Sequence, residues 1–249
     1  MTAARIGRAL ERGELVGDHA FDALLDPAAR SVSSMYWTPI DVARRAARWL
    51  SMEGAHEVLD VGAGAGKFCV VTALTSPLRA CGIEQRARLV RTGREVARAV
   101  GVEDRVRLLC GTIEELELAA YDALYLFNPF AENGYGTSHQ LDDSVELSID
   151  RLIRDVAYVE RALLEAPVGM MVATYYGFGG RIPDTFVKVR EEPAGSDVLR
   201  LWRKQHEAPR GHSWVEVDDE VALISNPAAD RLQEASLGVL RAWTTRRRR

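Results

Sequence analysis

The chain has only three cysteines, Cys69, Cys81 and Cys110, among its 249 residues, with no C-x-x-C pair and no histidine-rich spacing. That argues against a structural zinc site or a disulfide framework. Each thiol sits in an apolar context and is expected to be free and buried, as suits a reducing cytoplasm. No run of about 18 apolar residues occurs, so nothing reads as a membrane-spanning helix. The first residues carry Glu11, Glu14 and Asp18 and have no apolar stretch of signal-peptide type, so a cytoplasmic location is expected. An excess of positive charge is also missing: 32 Lys and Arg face 36 Asp and Glu, for a formal net charge of −4. That balance does not suggest general nucleic-acid affinity. No internal repeat is visible. The chain is 47% hydrophobic, enough for one α/β domain with a substantial core and terminal additions.

The most informative stretch runs from Val58 to Phe68. Val58, Leu59 and Val61 predict a buried strand. Gly62, Gly64 and Gly66 predict a tight turn that leaves no side chains between the backbone and a ligand, and a helix follows. Amides at the start of that helix suit a polar or anionic group. A dinucleotide fingerprint would place its third glycine where Lys67 stands. A P-loop would need glycine at Val61 and a hydroxyl at Phe68. The pattern present is D-x-G-x-G-x-G, beginning at Asp60.

Further strands are predicted over 79–84, 106–111, 121–127 and 168–175, separated by helical stretches over about 66–75, 86–100, 113–118 and 142–165. This alternation argues a parallel sheet covered on both faces. Runs at 186–189 and 198–202, joined by Pro193-Ala194-Gly195-Ser196, predict an antiparallel hairpin at the sheet edge. Residues 1–30 read as helical, broken at Asp26-Pro27. Thr38 is a candidate N-cap with Pro39 at the first helical position. Thr112-Ile113-Glu114-Glu115 has the capping-box form. Three units are expected: an N-terminal helical extension over 1–37, the main domain over 38–205, and a C-terminal extension over 206–249. In that last unit Leu232, Ala235, Val239, Leu240 and Trp243 could line an amphipathic helix before the basic end Arg246 to Arg249.

With its first motif and these strands, the chain resembles the class I S-adenosylmethionine (SAM) methyltransferases over roughly residues 38–205. The resemblance implies a Rossmann-like, seven-stranded, mostly parallel sheet in three α/β/α layers, with SAM as cofactor. It implies cofactor-binding roles for Asp60, Gly62, Gly64, Gly66 and Glu84. Glu84 ends the second strand about twenty residues beyond the glycines, where a carboxylate can accept both hydrogen bonds of a ribose diol. The family often has an acid after the third strand for the adenine amino group. Thr112 stands there instead, so Thr112 and Ile113 are carried over with recognition resting on backbone groups and the Ile113 side chain. Tyr36-Trp37-Thr38-Pro39 resembles a segment of some N6-adenine methyltransferases that borders the methionine end of SAM, with simple helix capping as the alternative.

Asn128-Pro129-Phe130, directly after the fourth strand, resembles the N-P-P-F/Y motif of amino-methylating enzymes. In that motif the Asn oxygen and a Pro carbonyl accept hydrogen bonds from a target amine while the aromatic ring packs on its planar group. The resemblance implies catalytic roles for Asn128, Pro129 and Phe130, with no metal needed. This chain has one proline where the motif has two, which shifts the aromatic by one position. The expected activity is transfer of a methyl group, preferentially to nitrogen, on an acceptor that could be a small molecule, a protein or an RNA. O-methylation of a small molecule, a non-catalytic SAM- or S-adenosylhomocysteine-binding protein, and a nucleic-acid-binding protein on the same scaffold are the competing readings. Tyr135 and His139 lie in a turn-rich loop on the expected substrate side.

Overall fold

A computed structural model describes residues 2–134, 140–208 and 214–215. In chain order its elements are α1 (Ala3–Glu11), α2 (Asp18–Asp22), α3 (Pro27–Ser31), α4 (Ser33–Tyr36), α5 (Ile40–Met52), β1 (Glu57–Val61), α6 (Lys67–Thr75), β2 (Arg79–Glu84), α7 (Ala87–Val100), β3 (Val106–Cys110), β4 (Ala123–Phe127), α8 (Ile149–Glu165), β5 (Met171–Tyr175), β6 (Ile182–Pro183), β7 (Phe186–Ala194), β8 (Asp197–Lys204) and β9 (Trp214–Val215). Short 3-10 turns cover Ile113–Glu115, Leu118–Ala120 and Ala131–Gly134.

Seven strands form one sheet in the order β3-β2-β1-β4-β5-β8-β7. The first five pair in parallel, and β8 joins β5 antiparallel. This is the expected Rossmann-like sheet with its edge hairpin. The central strands read as unbroken apolar runs because both faces are covered. Along β4, Ala123 and Tyr125 enter the core beneath α5, α6 and α7, while Leu124 and Leu126 enter the core shared with α8. The β1 strand divides its side chains the same way, with Val58 on one side and Leu59 and Val61 on the other. Helix α6 is buried from Lys67 to Leu74, and Phe68 stacks on Tyr125 with ring centroids 3.7 Å apart. Asp122 pins the start of the sheet, its carboxylate accepting from the amides of His56 (2.8 Å) and Glu57 (2.9 Å).

Several local expectations need correction. The first thirty residues form three short helices rather than one broken helix, and Gly13 and Gly17 separate the first two. Asp26 N-caps α3, accepting from the amides of Ala28 and Ala29 at 3.0 Å each. Thr38 does not cap α5. Its hydroxyl pairs with the Tyr125 hydroxyl at 3.1 Å, and Asp18 of α2 accepts from the first helical amide, Ile40, at 2.9 Å. The segment at 113–118 forms two 3-10 turns rather than an α-helix. Helix α8 begins at Ile149 rather than near 142, where Ser148 accepts from the Arg151 amide. Cys69 and Cys81 are buried, but Cys110 is exposed, because β3 is an edge strand with only one neighbour. The expected helix over Leu232–Trp243, the Arg246–Arg249 end, and Tyr135 and His139 lie outside the described residues.

Candidate active site

The carboxyl ends of β1, β2, β3 and β4 surround one cleft of about 860 Å³, counted out to the solvent at its mouth. The cleft gathers Gly62, Glu84, Thr112, Ile113, Asn128, Pro129 and Phe130 from four separate segments. Gly64 and Gly66 do not line it. Asp60 lies in a smaller neighbouring cavity with Trp37, Gly62, Lys67 and Phe127.

The glycine turn works differently from the sequence-based expectation. All three glycines have positive φ, between 55° and 71°, a region that glycine enters without steric cost. The space their missing side chains leave is filled by protein. A Cβ on Gly64 would lie 2.1 Å from the Trp37 ring, and one on Gly62 would lie 3.0 Å from the Pro129 Cβ. The turn therefore admits Trp37 on one side and the Asn128-Pro129 backbone on the other. A valine at position 64 would displace Trp37 before it met a ligand. The Gly64 amide donates to Glu84 at 3.0 Å, and the Gly66 amide donates to the Ala63 carbonyl.

Glu84 is buried at the end of β2. One carboxylate oxygen accepts from Gly64 and the other from the Arg86 amide at 2.8 Å. Burial pushes its pKa up, partly offset by those amides and the Arg86 charge. Each carboxylate oxygen has two lone pairs, so both can accept again from the cleft side. Asp60 is buried too, its pKa raised by burial against a weak Cys69 thiol contact at 3.6 Å.

At the other wall, β4 ends at Phe127, and Asn128 turns the chain with φ 41°. Asparagine is among the few non-glycine residues that tolerate this region. Its amide donates to the Gly177 carbonyl at 2.8 Å, tying the loops after β4 and β5 together. Pro129 lies over Gly62. The Phe130 ring borders the cleft but is 6% exposed and belongs to the core with Leu152 and Val156. The aromatic groups facing both cavities are Tyr36, Trp37 and Phe127. Phe127 forms a cluster with Tyr175 and Tyr176, ring centroids at 5.2 and 5.7 Å.

Sequence reasoning missed an ionic lattice at the rim. Arg86, 3% exposed, makes a two-pronged pair with Glu132 (2.8 and 2.9 Å) and a third bond to Asp142 (2.8 Å). Arg88 reaches Asp142 at 3.5 Å and Asp26 at 2.9 Å. The loop after β4, the start of α7 and the N-terminal helices thus meet beside the cleft. A second clip holds α2: the buried Lys67 ammonium lies 2.6 Å from Asp18 and 2.8 Å from Asp22. The Glu132 and Asp142 partners are unremarkable in sequence. Only their convergence on Arg86 marks them.

No family model matches the chain. An RNA methyltransferase from Salinibacter ruber, solved with S-adenosyl-L-homocysteine, is 22% identical with a TM-score of 0.50, over 71% of this chain and 98% of its own. A putative O-methyltransferase from Klebsiella pneumoniae is 12% identical with a TM-score of 0.53, over 82% and 97% of the two chains. An O-methyltransferase from Bacillus cereus in complex with S-adenosylhomocysteine (SAH) is 11% identical with a TM-score of 0.53, over 81% and 98%. The sheet order and these likenesses show a Rossmann-like fold shared with those methyltransferases. At these identities the likeness is one of fold. In a methyltransferase fold of this kind the cleft stands where the rule for open parallel sheets puts a ligand, beyond the carboxyl ends of the strands. The lining offers groups that could hold a cofactor: a buried carboxylate with spare lone pairs at Glu84, and at Gln85 a buried amide oxygen without a hydrogen-bond partner among the described residues.

Proposed function

We propose that this protein is a SAM-dependent methyltransferase that places its acceptor nitrogen against the Asn128-Pro129 wall of the cleft. The observation that carries the reading is the pairing of two walls across Gly62: the buried Glu84 carboxylate bonded to the glycine turn, and the Pro129 backbone packed over that same turn. Fold likeness to structures solved with SAH supports the choice of cofactor.

Glu84 would hold the ribose hydroxyls, and Thr112 and Ile113 would flank the adenine. Gly62, Trp37 and Asp60 would border the methionine end. The sulfonium supplies an electrophilic methyl group when SAM is bound. Asn128 and the Pro129 carbonyl would accept hydrogen bonds from an –NH₂ group and so aim its lone pair. Methyl transfer is an in-line displacement, so such positioning supplies much of the acceleration. Because the Phe130 ring is committed to the core, Phe127, Tyr36 and Trp37 are the aromatic surfaces against which a planar acceptor would pack. The acceptor's class stays open between a small molecule, a protein side chain and an RNA. Oxygen as acceptor atom has the support of the two O-methyltransferase likenesses, and nitrogen has that of the Asn128-Pro129 wall.

The test has two stages. Calorimetry with SAH should show saturable one-to-one binding. Methyl-labelled SAM incubated with separate panels of amines, phenols and transfer RNA should then label the amine-bearing acceptors. Labelling confined to hydroxyl groups would replace the nitrogen reading with the oxygen one, and absence of SAH binding would remove both.

A further inference from the structure

The proposed cofactor assignment leaves the polar edge of the adenine ring without a reader. Position 112, where the resemblance implies an acid, is a threonine turned away onto its own turn: the Thr112 amide and hydroxyl both donate to Glu115, at 2.8 and 3.2 Å. The ring's amino group needs an acceptor from elsewhere in the cleft.

Sheet register supplies one. In the parallel pair β2 and β3, Glu84 stands opposite Cys110, and the Gly111 amide donates to the Glu84 carbonyl at 3.0 Å. The next residue, Gln85, is therefore set beside Gly111 and Thr112, and all three line the cleft with Ile113. Gln85 is the first residue past β2 and stands between that strand and α7. Among the described residues, nothing donates a hydrogen bond to the buried Gln85 side-chain oxygen. Buried polar atoms are nearly always paired, so an orphan acceptor on a cleft wall calls for a partner. The other candidate acceptor on that side is the Asp155 carboxylate from α8, and it is already held by Arg151 at 3.6 Å.

We infer that Gln85 reads the adenine edge of the cofactor, in place of the acid that position 112 lacks. This rests on the SAM reading above. A carboxamide presents an acceptor and a donor side by side. Its oxygen accepts from the exocyclic 6-amino group, and its –NH₂ donates to the neighbouring ring nitrogen. Glutamine pairs with adenine through these same two groups in nucleic-acid recognition. A carboxylate offers acceptors only, so Gln85 matches both atoms of that edge where an acid would match one.

The test crosses a residue with a ligand group. The probes are SAH and its 6-desamino analogue, in which hydrogen replaces the amino group, both titrated by calorimetry. Wild type should bind SAH roughly tenfold more tightly than the analogue, the scale of one well-made hydrogen bond. Gln85→Ala should bind the two alike, with an unchanged thermal midpoint. Gln85→Glu, which keeps the acceptor, should retain the preference. An undiminished preference in Gln85→Ala would overturn the assignment, as would a preference that only Asp155→Asn abolishes. Wild type binding both probes equally would overturn it while leaving the cofactor reading standing. Wild type binding neither would remove the cofactor reading, and the role of Gln85 with it.

Discussion

Glu84 and Asn128 line one cleft, and the proposed reading gives them different tasks, so their variants should separate. The Glu84 carboxylate also holds two backbone amides, so alanine would unmake the turn along with the ribose contact. Glu84→Gln keeps the shape and removes the charge, and it turns an –NH₂ donor toward one of those two amides, so its thermal midpoint is measured beside its affinity. It should weaken SAH by roughly 1.5–3 kcal/mol, the range for hydrogen bonds to a charged group, as read by calorimetry. Burial raises the Glu84 pKa, so wild-type SAH affinity should fall with acid at a pH above the usual glutamate range, and that step should be absent in Glu84→Gln. For Asn128 the useful variant is glycine, which accepts its positive φ and removes only the side chain. An amide that aims the acceptor acts mainly in the transition state. Asn128→Gly should therefore lower kcat on the order of 10²-fold, about 2.7 kcal/mol, with SAH affinity nearly unchanged. Equal kcat in the two proteins would reduce Asn128-Pro129 to a structural turn.

At the scale of elements, the rim lattice joins the loop after β4 to α7 and to the N-terminal helices. Arg86 is its centre, and removing it strips Glu132 of its ion-pair partner and leaves Asp142 only the longer contact to Arg88. Breaking a buried pair from one side costs about 3–5 kcal/mol, so Arg86→Ala should lower the unfolding free energy by that order, as read from chemical denaturation. Double replacement with Glu132→Gln should recover part of the loss. The lattice also has a pH signature. Burial works to raise the Asp142 carboxyl, but the Ser144 and Arg86 hydrogen bonds outweigh it and hold the group below the usual carboxylate range. Asp26 is lowered in the same way, burial being outweighed by Thr92, its capping amides and Arg88. Carboxyls depressed in the folded state contribute stability that is complete above their unfolded pKa, near 4, and lost as pH falls through the lower folded value. Wild type should therefore lose stability below about pH 4 more steeply than Asp142→Asn, as measured by chemical denaturation at a series of pH values.

At the scale of the molecule, the two cores on either face of one sheet carry the fold. Asp18 and Asp22 hold the buried Lys67, and Asp18 caps α5, so the N-terminal helices are built into the frame around the glycine turn. The last four arginines follow the final edge hairpin by some forty residues. A chain ending at Thr245 is expected to keep both its thermal midpoint and its SAH affinity. If truncation instead removed transfer to RNA alone, the arginine end would belong to acceptor binding, and the small-molecule reading would lose ground.

Much of this was written in local sequence. Unbroken apolar strands, the glycine turn and the helix signals around them depend on neighbours a few residues apart, and they set the parallel sheet and the place of the cleft. The positions of Glu84 and Asn128 were legible because one ends a recognisable strand and the other directly follows one. Local signals misled where a distant group took over. Asp18 caps α5 in place of Thr38, Trp37 fills the space over Gly64 that looked reserved for a ligand, and Phe130 turns into the core. The rim lattice and the orphan oxygen of Gln85 were invisible in sequence. An ion pair between Arg86 and Asp142, or an amide stranded between two strand ends, exists only once the chain has folded back and water has been excluded from both groups.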